Sequence, residues 1–145
     1  MKEKLDTRAV RRCACVNIRQ TDRVITRFYD EMLAPSGLYA PQFGLLATIA
    51  EAGPVTINGL AEIMDMDRTT LTRNLGVLGK EHLVSSEEGE DRRTRVVTLT
   101  EEGEEALRRA WPLWQEAQAR IEQAFGSERF DELLGELAEV RGLAR

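Results

Sequence analysis

Three arginines in four positions, Arg92, Arg93 and Arg95, stand in the run Asp91–Thr100, DRRTRVVTLT, which reads as a charged hairpin tip feeding a β-branched strand. Guanidinium groups held out on such a ribbon pair with phosphates or enter a minor groove. A second polar set, Arg68, Thr69, Thr70, Thr72, Arg73 and Asn74, lies just upstream. Its hydroxyl, amide and guanidinium groups suit base edges and the sugar-phosphate backbone. The chemistry on offer is recognition of double-stranded DNA. Plainer readings stand beside it: a solvated helix face for Arg68 and Arg73, and for the wing arginines a charged sheet edge that discourages strand aggregation. Asp91 would be repelled by phosphates, so its expected task is to position a wing arginine through a salt bridge.

Caps and periodicity indicate the elements that hold these groups. Thr56 caps a short amphipathic helix carrying Ile57, Leu60, Ala61, Ile63 and Met64. Asp65-Met66-Asp67 makes a tight polar break, and Asp67 caps a second helix from Arg68 to about Glu81. Leu71, Leu75 and Leu78, with Val77 as a further candidate, face inward and leave the polar set on the other side. The polar set crowds the N-terminal half of that helix, where a helix-turn-helix makes its contacts. Leu83–Ser86 then reads as a strand and Glu87–Glu90 as a polar loop. Thr100 caps a further helix whose first turn, Glu101 and Glu102, suits the positive end of the helix dipole. Helix, turn, helix and two-stranded wing predict a mainly α fold with a small β wing: a winged helix-turn-helix plus a helical region.

At these residues the chain resembles the MarR family of bacterial transcription regulators. The family's wing signature appears as Asp91, Arg93, Leu99, Thr100 and Glu101-Glu102-Gly103. The layout is also similar, with a long first helix, Pro41-Gln42-Phe43 opening the second, the reader, and two C-terminal helices. The resemblance covers nearly the whole chain. It implies one unit over residues 1–145, with a winged helix-turn-helix reader at approximately 40–100 and dimerisation helices at approximately 8–35 and 100–143. It also implies a sequence-specific DNA-binding regulator, a dimeric repressor released when a small-molecule inducer changes the spacing of its two readers. Two recognition helices would enter successive major grooves of an approximately palindromic operator, half-sites about one helical turn apart, with the wings in adjacent minor grooves. The family's ligand pocket lies between the dimerisation helices and the reader. Tyr39, Phe43 and Trp111 are the candidates for it here, with no motif to fix their contacts.

A net charge of −5 looks wrong for a DNA binder until it is divided along the chain. Residues 1–100 hold 14 basic and 14 acidic side chains, whereas 101–145 hold 6 and 11, so the C-terminal part carries the whole excess. Local field and geometry govern phosphate contact, and the reader is not acidic. The 145 residues support one compact core. No apolar run approaches the roughly 18 residues of a membrane span, and the N-terminal MKEKLDTRAVRR lacks a signal peptide's apolar segment, so the expected location is cytoplasmic. Two cysteines make no disulfide framework, and one histidine, His82, which reads as an ordinary helix-end residue, gives no metal site. No cofactor is expected.

The helices beyond the reader carry their own pattern. Leu107, Ala110, Trp111, Trp114, Ala117, Ile121, Ala124 and Phe125 recur at helical spacing, as do Phe130, Leu133, Leu134, Leu137 and Val140 after Gly126-Ser127. Pro112 predicts a bend near Arg108 to Pro112. Val24, Ile25, Phe28, Tyr29 and Met32 make a third stripe, closed by Pro35-Ser36-Gly37. Such faces need another surface, and a second copy of the chain supplies one. Trp111 and Trp114 read as interface or core packing rather than a ligand cage.

An enzyme is not expected. No glycine-rich phosphate loop follows a strand, since Gly76 and Gly79 fall inside the second reader helix, and no paired acid and base stand out. The rival to DNA reading is a winged helix that binds only protein, its arginines meeting an acidic partner. One residue suggests a signal. On a continuous first helix Arg11, Arg12 and Arg19 share the side of Cys15, and nearby positive charge favours a reactive thiolate. Its place near the helix start, with Tyr29 and Leu33 downstream, is similar to the peroxide-sensing branch of the family, although Val16 and Arg19 stand where that branch tends to carry aromatics. Cys13, two positions away, would face nearly the opposite side, so a Cys13–Cys15 disulfide would require unwinding. The plainer reading makes both thiols small apolar residues.

Overall fold

The computed structural model describes residues 5–143. Asp6 caps a 3-10 turn over Thr7–Arg12 by accepting from the Arg8 amide at 3.1 Å. The backbone then extends at Cys13 (φ −68°, ψ 119°), and α1 runs Ala14–Leu33. The first helix therefore starts later than expected. A second 3-10 turn, Ala34–Ser36, closes α1, with Pro35 setting its start and Gly37 taking a φ of 80°, where glycine avoids the Cβ clash. The Asp30 carboxylate accepts from the Ala40 amide at 2.7 Å and satisfies the start of α2, Ala40–Ala52.

The rest follows in order: β1 Val55–Thr56, α3 Ile57–Ile63, α4 Arg68–Lys80, β2 Val84–Glu88, β3 Arg95–Leu99, α5 Glu101–Phe125 and α6 Ser127–Gly142. The sheet is antiparallel in the order β1-β3-β2, with Val97 opposite both Val55 and Ser86. Two features depart from the sequence expectation. β1 makes a third strand, and β2 continues through Glu87 and Glu88, which were expected in the loop, because both pair with β3.

Leu46, Ile49, Leu60, Leu71, Leu78 and Val97 are fully buried where α2, α3 and α4 meet the sheet, and Leu33 joins the same core from the end of α1. Each such side chain contributes about 1.5–3 kcal/mol of transfer free energy before entropy is subtracted. Val77, the further inward candidate on α4, instead points out at 46% exposure, because Leu71, Leu75 and Leu78 define a face that excludes it. α5 turns a small-residue edge, Gly103, Ala106, Ala110 and Ala117, to the core, which lets its backbone come close. Pro112, where a bend was expected, falls inside a helix that runs unbroken from Glu101 to Phe125.

The outer helices are poorly covered. Leu33 is the one buried residue of α1, and α6, among the described residues, has none. Ile18, Val24, Leu134 and Val140 are exposed. Tyr29 ties α1 to α5 by donating to Gln118 Oε1 at 2.7 Å, and burial, with Glu122 nearby, raises its hydroxyl above the usual range. Among the described residues, no helix is long and apolar enough to cross a membrane.

Candidate nucleic-acid interface

The α3–α4 unit is assembled from three local devices. The Thr56 hydroxyl accepts from the Gly59 amide at 3.0 Å and starts α3. Asp65 takes a left-handed φ of 49°, a conformation that aspartate tolerates better than most side chains, and the Met66 amide donates back to Ala61 O at 3.0 Å. Asp67 then starts α4 through both carboxylate oxygens, accepting from the Thr70 hydroxyl at 2.7 Å and the Thr70 amide at 2.8 Å. Those two hydrogen bonds hold the Asp67 carboxyl below its ordinary pKa.

With Leu71 and Leu78 buried, α4 presents Arg68, Thr69, Thr72 and Arg73 to the outside. Two predicted members of this set sit differently. Thr70 is half-buried and its hydroxyl is engaged by Asp67. Asn74 is also half-buried, donating its amide toward Met66 Sδ at 3.8 Å. Both lie around the helix from the exposed face, because they fall toward the α3–α4 turn.

The wing hairpin turns at Gly89–Thr94. Gly89 N donates to Thr94 O at 2.8 Å, and both the amide and the hydroxyl of Thr94 donate to Asp91 O, at 2.9 and 2.8 Å. Asp91 Oδ1 accepts from the Arg93 amide at 3.1 Å. Asp91 thus positions the wing, but by shaping its turn rather than by the expected salt bridge: among the described residues, the ion pairs are those of Arg108, Arg109 and Arg120 on α5. Arg92 and Arg93 are exposed at the tip. Arg95 is not held out with them. As the first residue of β3 it lies across the ribbon, donating from Nε to Ser86 Oγ at 3.1 Å and from a terminal nitrogen to Ser86 O at 2.9 Å.

Helix and wing meet at a notch lined by Thr56, Asn58, Arg68, Arg93, Thr94 and Arg95. Arg68 of α4 is therefore brought together with Arg93 and Arg95 of the wing, beside an amide and two hydroxyls. Such a set matches anionic oxygens and is the chemistry of phosphate contact. Between α4 and the ribbon runs a groove of about 440 Å³, floored where Gly76 and Gly79 leave space.

The ligand candidates separate. Phe43 is 5% exposed and belongs to the core, stacked on Trp114 at 5.8 Å. Tyr39, 63% exposed, precedes α2 and lies away from any described cavity. Trp111, packed on Trp114 at 4.9 Å, lines a groove of about 520 Å³ with Ile49, Pro54, Leu99, Leu107 and Arg108. That groove joins α2, β3 and α5, and only its Trp111 was foreseen; the others carry ordinary core and helix-face patterns with nothing to single them out. Among the described residues no cluster of three metal-ligating side chains occurs.

The cysteines need correction. Cys13 is extended and outside α1, so Arg11 and Arg12, in the preceding 3-10 turn, are not on the helix of Cys15; Arg19 alone is. Asp6 capping the turn and Asn17 capping its end produce the break. Asn17 Nδ2 donates to Arg11 O and Cys13 O, each at 2.9 Å. Both thiols are free and exposed, not packed as small apolar residues.

Comparison with known proteins agrees with this geometry. The MarR family model matches residues 36–94, which contain α2, the α3–α4 unit and most of the wing. A helix-turn-helix-type transcriptional regulator of Bacillus subtilis is 33% identical over 87 residues, 60% of this chain and 64% of the relative. One from Bacillus anthracis is 35% identical over 107 residues, 74% of this chain and 66% of the relative. The chain thus spans just under two thirds of the length of these relatives. Among solved structures, the Mycobacterium tuberculosis transcriptional regulator MosR in complex with DNA is 39% identical, with a TM-score of 0.77 over 88% of this chain and 97% of that one. A mutant Escherichia coli MarR complexed with operator DNA shares the fold at 23% identity and a TM-score of 0.82, over 95% and 99% of the two chains. On sequence and fold together, the chain belongs to the MarR family of helix-turn-helix transcriptional regulators.

Proposed function

We propose that this chain is a homodimeric, sequence-specific DNA-binding repressor, working in the cytoplasm on an approximately palindromic operator. The observation that carries the reading is the convergence of Arg68 from α4 with Arg93 and Arg95 from the wing, beside an α4 face of Arg68, Thr69, Thr72 and Arg73. In this reading α4 enters the major groove, Arg92 and Arg93 reach the adjacent minor groove or its phosphates, and Arg95 stiffens the wing. The MosR complex with DNA, from a protein similar over most of this chain, supports the same partner. Dimerisation is supported by the uncovered faces of α1 and α6, which a second copy would bury together with Ile121, Phe125, Leu133 and Leu137.

The groove beside Trp111 favours release by a small molecule. Its aromatic and aliphatic lining with Arg108 at the edge suits a small aromatic acid, and it touches both the reader, through β3, and the outer helix α5. A ligand there would change reader spacing by the difference in its affinity for the two arrangements. The test of the DNA reading is a fluorescence titration of the full chain against duplex DNA from upstream of its own gene. Preference over a scrambled duplex is expected. Equal binding to both at all salt concentrations would remove sequence-specific recognition, and binding only to an acidic protein would favour the interaction-module alternative.

A further inference from the structure

We propose that the notch between α4 and the wing is a tetrahedral-oxyanion site, which a free phosphate or sulfate ion occupies in competition with a phosphate of the DNA backbone. The competition rests on the repressor reading above; the affinity for the free ion does not. Four donor side chains converge there: Asn58 of α3, Arg68 of α4, and Arg93 and Arg95 of the wing. Among the described residues, the guanidinium groups of Arg68 and Arg93 and the Asn58 amide meet no protein acceptor. Arg95 engages Ser86 through Nε and one terminal nitrogen, which leaves its other terminal nitrogen for the notch.

Three like charges gathered in one place repel one another, and neighbouring carboxylates ordinarily relieve them. Here each carboxylate within reach in sequence or register is turned elsewhere. Glu88 stands opposite Arg95 in the β2–β3 ladder, yet the ion pairs among the described residues are all on α5. Asp91 accepts from the Arg93 amide, and Asp67, next to Arg68, accepts from Thr70. The notch therefore carries donors and positive charge with no acidic side chain in its lining.

An oxyanion satisfies guanidinium forks and an amide together, because its oxygens accept several charge-assisted hydrogen bonds at once. Size decides which one. The notch measures about 20 Å³, room for little more than one oxygen atom. A planar aromatic acid belongs to the larger grooves, whereas phosphate or sulfate inserts one oxygen and leaves the others in solvent. The fit is the same for a free ion and for a DNA strand, so occupation by one excludes the other.

The experiment uses the full-length protein with sodium phosphate and sodium sulfate as probes, against sodium chloride at equal ionic strength. Without DNA, the Nε resonances of Arg68, Arg93 and Arg95, assigned through Arg68→Lys, Arg93→Lys and Arg95→Lys, should shift saturably with either oxyanion. Those of Arg108 and Arg120, paired on α5, should not. Asn58→Asp puts a carboxylate into the notch at an exposed first-turn position that tolerates negative charge, so the variant should fold and lose the saturable shift. With operator present, sulfate at about twice its dissociation constant should weaken binding by about threefold per notch, about ninefold for two copies. Asn58→Asp should respond to sulfate and chloride alike. Neutral methylphosphonates substituted singly along the duplex should identify a backbone position at which the excess effect of sulfate disappears. No saturable shift, a shift spread evenly over all arginines, or one that persists in Asn58→Asp would overturn the site. Saturable binding without an excess effect of sulfate, in a protein that binds operator, would overturn the competition. A protein that binds the oxyanion yet ignores every duplex would instead overturn the repressor reading and leave the site supported.

Discussion

Replacing Gly103 with alanine tests the junction between α5 and the wing. A Cβ built on Gly103 falls well inside van der Waals contact with the Leu83 carbonyl oxygen and 2.9 Å from the carbonyl carbon. Both obstacles are backbone, so no side-chain rotation relieves them. The same junction carries hydrogen bonds from Thr100 N to Leu83 O at 3.2 Å and from the Thr100 hydroxyl to His82 O at 2.5 Å. Moving α5 away weakens both. Overpacking costs about 1–3 kcal/mol, and the upper end applies against a fixed carbonyl; alanine's better helix propensity offsets about 1 kcal/mol. The net expectation is a loss of about 2 kcal/mol, or a Tm roughly 4–10 °C lower for a chain of this length. Gly135, within α6, is the internal control: its Cβ would meet nothing within 4 Å, so Gly135→Ala should stabilise by about 0.5–1 kcal/mol. Both variants are compared by calorimetry under identical conditions. A Gly103→Ala protein as stable as the parent would refute the close approach and the reasoning built on it.

Other perturbations probe the cap, the wing and the outer helices. The folded-state pKa of Asp67 is depressed, so its contribution is present above its ordinary value near 3.8 and is lost as pH falls through the depressed value; Asp67→Asn should flatten the acid limb of a stability–pH curve, and an unchanged limb would contradict the cap. Arg93→Ala should reduce the salt dependence of operator binding by about two in log–log slope for a dimer, one per wing, and an unaltered slope would remove the wing from the interface. Thr72→Ala and Arg73→Ala should change which base pairs are preferred, whereas Thr70→Ala should act mainly on the stability of α4, because its hydroxyl belongs to Asp67; a selection experiment that finds Thr70 dominant would reverse that assignment. Leu137→Glu, once in each copy, should weaken the dimer by about 100-fold or more in sedimentation, and intact dimers would exclude α6 from the interface.

Much of the fold was legible because its signals are local. Thr56, Asp67 and Thr100 cap α3, α4 and α5 as their positions before apolar-periodic runs indicated, and the leucines of α4 face inward at the expected spacing. What escaped detection depends on partners distant in sequence or on geometry too short to be periodic. β1 is two residues long, and Val55–Thr56 becomes a strand only because β3 lies beside it. The break at Cys13 depends on an asparagine four residues on whose amide reaches backward, a contact that spacing alone does not announce. The polar set around α4 was readable as a cluster, but not its division into an exposed face and the Thr70 and Asn74 pair drawn toward the turn. Arg95 illustrates the same limit: in sequence it matches Arg92 and Arg93, and only the register that places it beside Ser86 makes it a strut. Gly103 shows the converse, a residue met first as part of a motif whose need becomes physical once Leu83 is seen against it.

The most direct test of the account is the stoichiometry and salt dependence of binding to the chain's own upstream DNA, measured by sedimentation with a labelled duplex across a salt series. The account predicts two copies per duplex, a preference over scrambled sequence, and log affinity falling linearly with log salt as phosphate contacts release counterions. Protection should span two half-sites about one helical turn apart. A single copy bound per duplex, or affinity indifferent to both sequence and salt, would contradict it.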